Sequence, residues 1–235
     1  MPQFFLLPTT LGDTNLDHLS PLVIQHIHRL EVFIVERAKT ARRFIKSTQP
    51  PYAIADLLIY EIDKHQPETD ASVFREALAH GKDIGFLSEA GCPGIADPGA
   101  RFVQLAHQKG MKVLPLVGPS SIVLALMASG LNGQHFCFQG YLPPQKAELA
   151  KALKRLEQIS QRQKQTQLFI ETPYRNQSLV EQTLKTLGPK TQLCIAADLT
   201  LPSQYILTQR VEQWRRTQLP DLHKRPTIFL LDASH

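Results

Sequence analysis

The chain has 235 residues, of which 43% are hydrophobic and 20% are charged, a composition typical of soluble globular proteins. This length suits one large domain or two domains of about 115 residues each. The formal net charge of +5 favours an anionic partner or substrate without naming one. No apolar stretch reaches the ~18 residues of a membrane span, and the N-terminus lacks the basic region of a signal peptide, so we expect a cytoplasmic protein.

The cysteines and histidines lack the spacing of metal ligands. Cys92, Cys137 and Cys194 lie far apart, which predicts free thiols in a reducing compartment rather than a disulfide framework. His26 and His28 lie two positions apart in a helical pattern and so face different sides of the helix. We therefore expect no structural metal.

Short apolar runs alternate with helical patterns along the whole chain. The predicted strands are residues 4–7, 32–35, 57–62, 84–87, 113–117, 136–141, 168–171, 193–197, 205–208 and 227–231. The predicted helices are residues 17–30, 69–80, 101–109, 121–129, 146–163 and 176–187. This alternation predicts an α/β protein with a largely parallel sheet. The pattern pauses at Val117-Gly-Pro-Ser120, which predicts two domains, residues 1–117 and 118–235.

Two segments are rich in lysine and arginine. One is the predicted helix 146–163, and the other is a run that follows the predicted strand end at Glu36 and contains Arg37, Lys39, Arg42, Arg43 and Lys46. Each is either a solvated surface or an electrostatic binding surface for phosphates. The position of the second run favours the functional interpretation, because open α/β sheets bind ligands at the carboxyl ends of their strands.

A loop of unusual composition, residues 88–99, joins predicted strand 84–87 to predicted helix 101–109. Its sequence is Ser88-Glu-Ala-Gly-Cys-Pro-Gly-Ile-Ala-Asp-Pro-Gly99. The glycines permit backbone conformations that a Cβ atom would block, and the prolines stiffen the chain. A ligand-binding loop and a structural turn both fit this composition, and its place after a strand favours binding.

Six motifs follow one another along the chain, most of them at predicted strand ends. They are Pro8-Thr-Thr-Leu-Gly-Asp13, the loop 88–99, Val117-Gly-Pro119, Phe136-Cys-Phe-Gln-Gly-Tyr-Leu-Pro143, Glu171-Thr-Pro-Tyr-Arg175 and Ala197-Asp-Leu-Thr200. None matches a dinucleotide-binding fingerprint or a P-loop. In order and spacing they resemble the motifs of the tetrapyrrole-methylase superfamily of S-adenosylmethionine (SAM) methyltransferases. Within it they are most similar to the bacterial 16S rRNA ribose 2′-O-methyltransferase group.

The resemblance implies two α/β domains with SAM bound in the cleft between them, and a homodimer. It also implies which residues contact SAM, namely Leu11, Gly12, Gly91, Cys92, Pro93, Ile95, Ser120, Ser121, Ile122, Ile170, Glu171 and Ala197. The chain departs from the pattern at Asp13, where the group has Asn, at Cys92, where it has Thr, and at Tyr174, where it has His. The segment 197–200 also lacks the Arg and Glu of A-R-E-L-T, so the resemblance supports the cofactor pocket more than the acceptor site.

Methyl transfer to an alcohol requires a general base that removes the hydroxyl proton. The carboxylates at predicted strand ends are Asp13, Glu36, Glu89, Asp97, Glu171 and Asp198. Each can instead cap a turn or helix, which for Asp97 is favoured by its place before Pro98. Glu89 and Asp97 share the loop 88–99, and we predict that they are the catalytic pair.

Three further residues, Asp13, Arg37 and Arg175, are candidates for substrate binding. Arg175 either holds a phosphate or the SAM carboxylate, or pairs with Glu171. The leading functional hypothesis is a SAM-dependent methyltransferase that acts on ribosomal RNA. The alternatives are a methyltransferase of a small anionic substrate such as a tetrapyrrole, and a non-catalytic RNA-binding or interaction module that retains the fold.

Overall fold

The computed structural model describes residues 1–12, 15–63 and 66–234. The chain divides into two compact units, Met1–Ser120 and Ser121–His235. The boundary that the sequence places between residues 117 and 118 lies close to this division and stays a prediction.

The first unit alternates strands and helices throughout. Its described elements are β1 (Gln3–Leu7), α1 (Pro21–Arg29), β2 (Val32–Val35), α2 (Ala38–Ser47), β3 (Leu58–Glu61), α3 (Asp70–Leu78), β4 (Ile84–Leu87), α4 (Gly99–Gln108) and β5 (Lys112–Pro115). The strands form a sheet in the order β3-β2-β4-β1-β5, and all its pairs are parallel. Helices cover both faces of such a sheet, which is why β2 and β4 are buried at every position.

The register of this sheet brings three strand ends to one place. Leu87 of β4 pairs with Leu7 of β1 and with Val35 of β2. The residues that follow these strands, Pro8, Glu36 and Ser88, therefore leave the sheet side by side. In an open parallel sheet this edge is where ligands bind.

The second unit has a mixed sheet. Its described elements are α5 (Ser121–Ser129), β6 (Phe136–Tyr141), α6 (Lys146–Gln163), β7 (Thr166–Ile170), α7 (Asn176–Thr186), β8 (Gln192–Ala197), β9 (Tyr205–Arg210), α8 (Val211–Trp214) and β10 (Thr227–Asp232). The strand order is β6-β7-β10-β8-β9, in which only the β6–β7 pair is parallel among the described pairs. The expected largely parallel sheet is confirmed in the first unit and wrong here. The segment between β8 and β9 is too short for a crossover helix, so these strands pair antiparallel.

Helix boundaries differ from the prediction where capping decides them. Predicted helix 17–30 begins only at Pro21, because the Ser20 hydroxyl accepts a hydrogen bond from the Val23 N–H at 3.4 Å and Pro21 occupies the first position. Helix α2 was not predicted as a helix. It buries Ala41, Phe44 and Ile45 and exposes its basic side chains, so its narrow apolar stripe was hidden within the basic run.

His26 packs on the first sheet in a way that links stability to pH. Its ring lies 4.7 Å from the Phe5 ring, centroid to centroid. Burial lowers the pKa of His26 below its ordinary value of 6.5, Arg29 lowers it further, and Asp83 opposes them. Just below the ordinary pKa, the unfolded state therefore binds more protons than the folded state. Protonation of His26 thus favours unfolding, so its contribution to stability is present above that pKa and is lost as the pH falls.

We expect the substitution His26→Leu to remove this pH dependence. The free energy of unfolding of the wild type, minus that of the variant, should rise between about pH 5 and about pH 7.5. Urea denaturation at a series of pH values measures this difference. The exposed Gln104 in α4 provides the control, since Gln104→Leu removes no titrating group and should leave the profile unchanged. A pH-independent difference for His26→Leu would contradict the assignment.

Candidate functional site

The meeting of β1, β2 and β4 creates a cavity in the first unit. It has a volume of about 420 Å³ and lies where β1 and β4 end. Its lining includes Thr9, Thr10, Leu11, Gly12, Thr40, Ala41, Arg43, Phe44, Ser88 and Glu89. Three residues that the sequence assigns to the site, Leu11, Gly12 and Glu89, thus line one cavity. Hydroxyl groups, one guanidinium and one carboxylate supply its polar surface.

The glycine-rich loop 88–99 is fixed to the end of β1 through the Gly91 carbonyl. This oxygen accepts hydrogen bonds from the Thr9 N–H and from the Ser88 hydroxyl, each at 3.0 Å. Gly91 has φ +72°, and a Cβ atom there would lie 2.9 Å from both the Leu11 side chain and the Pro119 carbonyl oxygen. The packing of the protein itself therefore requires glycine at this position.

Of the next residues of the loop, some pack inside the protein and others are exposed to solvent. The Cys92 thiol donates to the Gly118 and Pro119 carbonyls, at 3.3 and 3.4 Å as alternatives for its single proton. Burial raises the pKa of Cys92, with the bond to Gly118 opposing, so the thiol stays protonated at neutral pH. Pro93 is buried, whereas Ile95 is 52% exposed. Gly94 has φ +80° and open space where a Cβ would lie, so its backbone is accessible.

Asp97 closes the loop. Its Oδ1 accepts hydrogen bonds from the Gly94 N–H at 2.7 Å and the Gly99 N–H at 2.8 Å, which ties the loop together at the start of α4. Asp97 lines a second cavity of about 440 Å³ together with Glu36, Asp70 and Arg101. The two carboxylates of the loop, Glu89 and Asp97, thus line different cavities, and the geometry of Asp97 fits the capping alternative.

Glu89 is the carboxylate that borders the first cavity. Its side chain is exposed, and its Oε1 accepts a hydrogen bond from the Thr40 hydroxyl at 2.5 Å. Its backbone N–H donates to the buried Glu36 carboxylate at 2.9 Å. Thr40 has no signal in the sequence that links it to Glu89, because the two are 49 positions apart.

Helix α2 presents the basic run beside this cavity. Arg37 is exposed at the N-cap of the helix, whose Ala38 N–H donates to the Glu61 carboxylate at 2.8 Å. The exposed basic side chains are Arg37, Lys39, Arg42, Arg43 and Lys46. Arg43 also lines the cavity. The basic run is therefore a solvent-exposed helix face that ends at the candidate site.

In the second unit, the end of β7 carries a buried carboxylate. Glu171 follows Ile170, and its Oε1 accepts hydrogen bonds from Arg175 Nη2 and from the Thr172 N–H, each at 2.6 Å. The Glu171 side chain is 5% exposed and that of Arg175 is 49% exposed. Of the two alternatives for Arg175, the structure contains the pair with Glu171, and half of the guanidinium side chain remains accessible.

The end of β8 is held by a second ion pair. Ala197 is fully buried, and Asp198 Oδ2 accepts hydrogen bonds from Arg225 Nε at 2.7 Å and from the Ser203 hydroxyl at 2.8 Å. Arg225 Nη2 also donates to the Ser203 carbonyl at 2.6 Å. Asp198 thus fixes the turn that follows β8, which makes it a structural carboxylate. The sequence did not predict Arg225 as its partner.

The remaining predicted residues fall at the junction of the units or outside the described chain. Ser120 ends the first unit, whereas Ser121 and Ile122 begin α5 in the second, and all three are partly buried. Asp13 lies outside the described residues. In the part of the chain that the structure describes, no three His, Cys, Asp or Glu side chains are placed to hold a metal ion. No helix of that part is long and apolar enough to cross a membrane.

The chain thus consists of two α/β units, each built on a five-stranded sheet. Comparison with known proteins identifies the family. The family model for tetrapyrrole (corrin/porphyrin) methylases matches residues 10–214. The chain belongs to this family, as the motifs indicated.

Individual relatives agree with the family assignment. A Vibrio cholerae protein named ribosomal RNA small subunit methyltransferase I is 30% identical over 203 residues, which are 85% of this chain and 65% of that protein. The chain therefore spans just under two thirds of the length of this relative. The methyltransferase CobJ has the same fold, with a TM-score of 0.66 at 17% identity over 99% of this chain and 94% of CobJ.

A third comparison adds a ligand-bound structure of this fold. The uroporphyrin-III C-methyltransferase of Thermus thermophilus, solved as a complex with S-adenosylhomocysteine, has a TM-score of 0.58 at 16% identity. The alignment covers 99% of this chain and 98% of that one. The expected fold, two α/β units of the tetrapyrrole-methylase type, is confirmed.

The Asp198–Arg225 pair gives a stability prediction. We expect Arg225→Gln to lower the free energy of unfolding by about 1–3 kcal/mol, because it leaves a buried carboxylate without its main partner. The exposed pair of Lys151 and Glu148 provides the control, for which Lys151→Gln should cost less than about 0.5 kcal/mol. Denaturant unfolding measures both changes. Adding Asp198→Asn should recover part of the loss, and equal effects of the two single substitutions would contradict a structural role for the pair.

Proposed function

We propose that this chain is a SAM-dependent methyltransferase that modifies ribosomal RNA of the small subunit, at a ribose 2′-hydroxyl. The observation that carries the proposal is the 30% identity over 203 residues to the Vibrio cholerae protein named ribosomal RNA small subunit methyltransferase I. The glycine-rich loop beside a cavity at the ends of parallel strands supports it from geometry.

The residues present fit SAM in chemical character. The cofactor combines an adenine ring, ribose hydroxyls and a charged methionine portion. Leu11 and Ile95 offer apolar contacts, and the accessible backbone at Gly94 lets a ligand approach closely. We propose that SAM binds the full set that the resemblance implies, which adds Gly12, Gly91, Cys92, Pro93, Ser120, Ser121, Ile122, Ile170, Glu171 and Ala197.

When bound, SAM supplies a methyl group already activated for in-line displacement. The protein must then align an acceptor, exclude water and remove the acceptor proton. Glu89 is the best-placed group for the last task, since its exposed carboxylate borders the cavity. We propose that one Glu89 oxygen takes the proton of the ribose hydroxyl while the Thr40 hydroxyl orients the other. Asp97, predicted as the second catalytic residue, keeps the loop closed in this proposal.

RNA as the acceptor accounts for the basic face of α2. Five exposed cations on or next to this helix, of which Arg43 lines the cavity, provide a surface for the phosphate backbone. Arg37 belongs to this face, and we propose that Asp13 and the accessible part of Arg175 also contact the substrate.

Two other functions remain as outcomes of the tests. The family description favours a tetrapyrrole or similar small anionic acceptor as the runner-up. Such a ligand neutralises few charges, so its binding should depend on salt less steeply than the binding of RNA does. A non-catalytic interaction module would bind RNA without transferring a methyl group.

The assembly state and cellular location are parts of the same proposal. We infer a homodimer. This inference is supported by large apolar side chains that the second unit exposes, at Met127 of α5 and at Phe136 and Tyr141 of the edge strand β6. Light scattering at a series of concentrations tests it. A ribosomal substrate implies that the protein works in the cytoplasm.

We expect Ile95→Asp to weaken SAM binding by more than about tenfold, because burial of an isoleucine side chain contributes roughly 1.5–3 kcal/mol and a carboxylate loses that contact. Isothermal titration with SAM and with S-adenosylhomocysteine measures the change. Ile95→Val is the control and should bind within a few-fold of the wild type. Ile95 suits this test because it is 52% exposed, whereas a substitution of Gly91 would strain the loop itself. Unchanged affinity in Ile95→Asp would contradict the cofactor assignment.

We expect Glu89→Gln to keep SAM affinity and to slow methyl transfer by about 10²–10⁴-fold, the usual contribution of a general base. The assay follows labelled methyl transfer from SAM to unmodified small ribosomal subunits. Glu76→Gln, a substitution at an exposed site on α3, is the matched control. Full turnover by Glu89→Gln would remove Glu89 from the acceptor site, and SAM binding without any transfer by the wild type would favour the non-catalytic alternative.

A further inference from the structure

An exposed aromatic ring in the second unit lies among basic side chains. Tyr174, in the turn between β7 and α7, is 68% exposed. The His223 ring stands edge-on to it with centroids 5.9 Å apart, and Lys224 Nζ lies 5.9 Å from its centroid. Tyr174 comes from residues 172–175 and its two neighbours from residues 221–225, so the cluster exists only in the folded protein.

Backbone and side-chain hydrogen bonds hold these two segments together. The Lys224 N–H donates to the Pro173 carbonyl at 3.1 Å, and Asn176 Nδ2 donates to the Arg225 carbonyl at 2.7 Å. Lys224 adopts φ +60°, a left-handed conformation that is costly for a residue with a Cβ. Because these contacts fix the backbone of both segments, little further ordering is needed when a ligand binds the cluster.

Two accessible cations come from the same two segments as the ring. Lys224 is exposed, and Arg175 keeps about half of its side chain accessible while it pairs with the buried Glu171. The N-terminus of α7 begins at the next residue and adds its positive dipole end. The exposed carboxylate of Asp221 accepts a hydrogen bond from the His223 N–H at 2.9 Å and opposes these charges in part.

We propose that Tyr174, His223 and Lys224 form a binding surface for single-stranded RNA. A base stacks on the exposed part of the Tyr174 ring, and Lys224 neutralises the adjoining phosphate. Stacking suits an unpaired base because every base presents a flat π-face, and proteins that bind single strands combine such rings with cations. The proposal rests on RNA being the substrate class, and it adds a contact that the sequence motifs do not assign.

The composition of this patch matches an RNA ligand better than a protein partner. A protein-binding surface of this size would present a contiguous apolar area. Here a single exposed ring lies beside the Lys224 ammonium, and that arrangement matches a base followed by its phosphate. The overall charge of +5 attracts the same kind of ligand.

The first test compares Tyr174→Ala with Tyr174→Phe. The probe is a fluorescein-labelled unstructured RNA of about 12 nucleotides, within the range of site sizes for single-strand binders. We expect the alanine variant to bind about 5- to 150-fold more weakly, the range for loss of one stacked base, and the phenylalanine variant to bind within about twofold of the wild type. SAM affinity should be unchanged in both. An alanine variant that binds RNA as well as the wild type would overturn the proposal.

The second test separates charge from backbone strain. Lys224→Asn removes the cation but keeps a residue that tolerates the left-handed conformation. We expect the slope of log K against log salt concentration to become shallower by about 0.7, the value for one phosphate on a single strand. Lys190→Asn, at an exposed position of the same unit, should leave the slope unchanged. An equal change of slope in both variants would show that the overall charge of the protein, and not a specific site, determines the salt dependence. That result would overturn the role of Lys224.

The outcomes also separate this surface from the methyltransferase assignment. If the wild type transfers no methyl group to small subunits while Tyr174→Ala still loses RNA affinity, the catalytic proposal fails and the RNA surface stands. If transfer is normal and Tyr174→Ala binds RNA and ribosomal subunits fully, the surface is wrong and the catalytic proposal stands. Loss of SAM affinity in Tyr174→Ala would instead place the ring at the cofactor and overturn the RNA role.

Discussion

The candidate site of the first unit depends on the carbonyl oxygen of Gly91. Parallel pairing brings the ends of β1 and β4 together, but strands alone do not fix the loops that follow them. The Gly91 oxygen supplies that link, since it accepts from the Thr9 N–H of one loop and the Ser88 hydroxyl of the other. Two donors on one buried acceptor set the mutual position of the two loops, and the cavity beside Glu89 is the space left between them and α2.

The carboxylates at strand ends divide into structural and available groups. Glu171 and Asp198 are each buried against an arginine, and Asp97 accepts two backbone N–H groups. Each of these acids therefore stabilises a turn, and a proton transfer to it would break the contact that it makes. Glu89 is exposed at the cavity and is held by a single hydroxyl at one oxygen. A general base needs a lone pair that the substrate can reach, so the hydrogen bonds of Asp97 separate it from Glu89, the other carboxylate that the sequence predicts as catalytic.

Much of the fold could be predicted because its signals are local. Apolar runs found all the described strands to within a few residues, since the central strands of a covered parallel sheet are apolar throughout. The antiparallel part of the second sheet could not be predicted in this way, because strand direction depends on the connections and not on composition. Helix α2 was missed because its basic residues dominate the pattern. Thr40 beside Glu89 and Lys224 beside Tyr174 are non-local pairs, and only the folded chain reveals them.

The basic face of α2 and the Tyr174 cluster would contribute to RNA binding through different physics. Cations that neutralise phosphates act by releasing counterions, so their contribution falls as salt rises and carries no sequence information. A base stacked on a ring loses little to salt and requires an unpaired nucleotide. A protein with only the first kind of surface would bind duplex and single strand alike. Because 2′-hydroxyls also lie open in the shallow minor groove of duplex RNA, charge contacts alone would not distinguish the two forms. A contact that needs an unpaired base would direct the proposed chemistry to single-stranded segments.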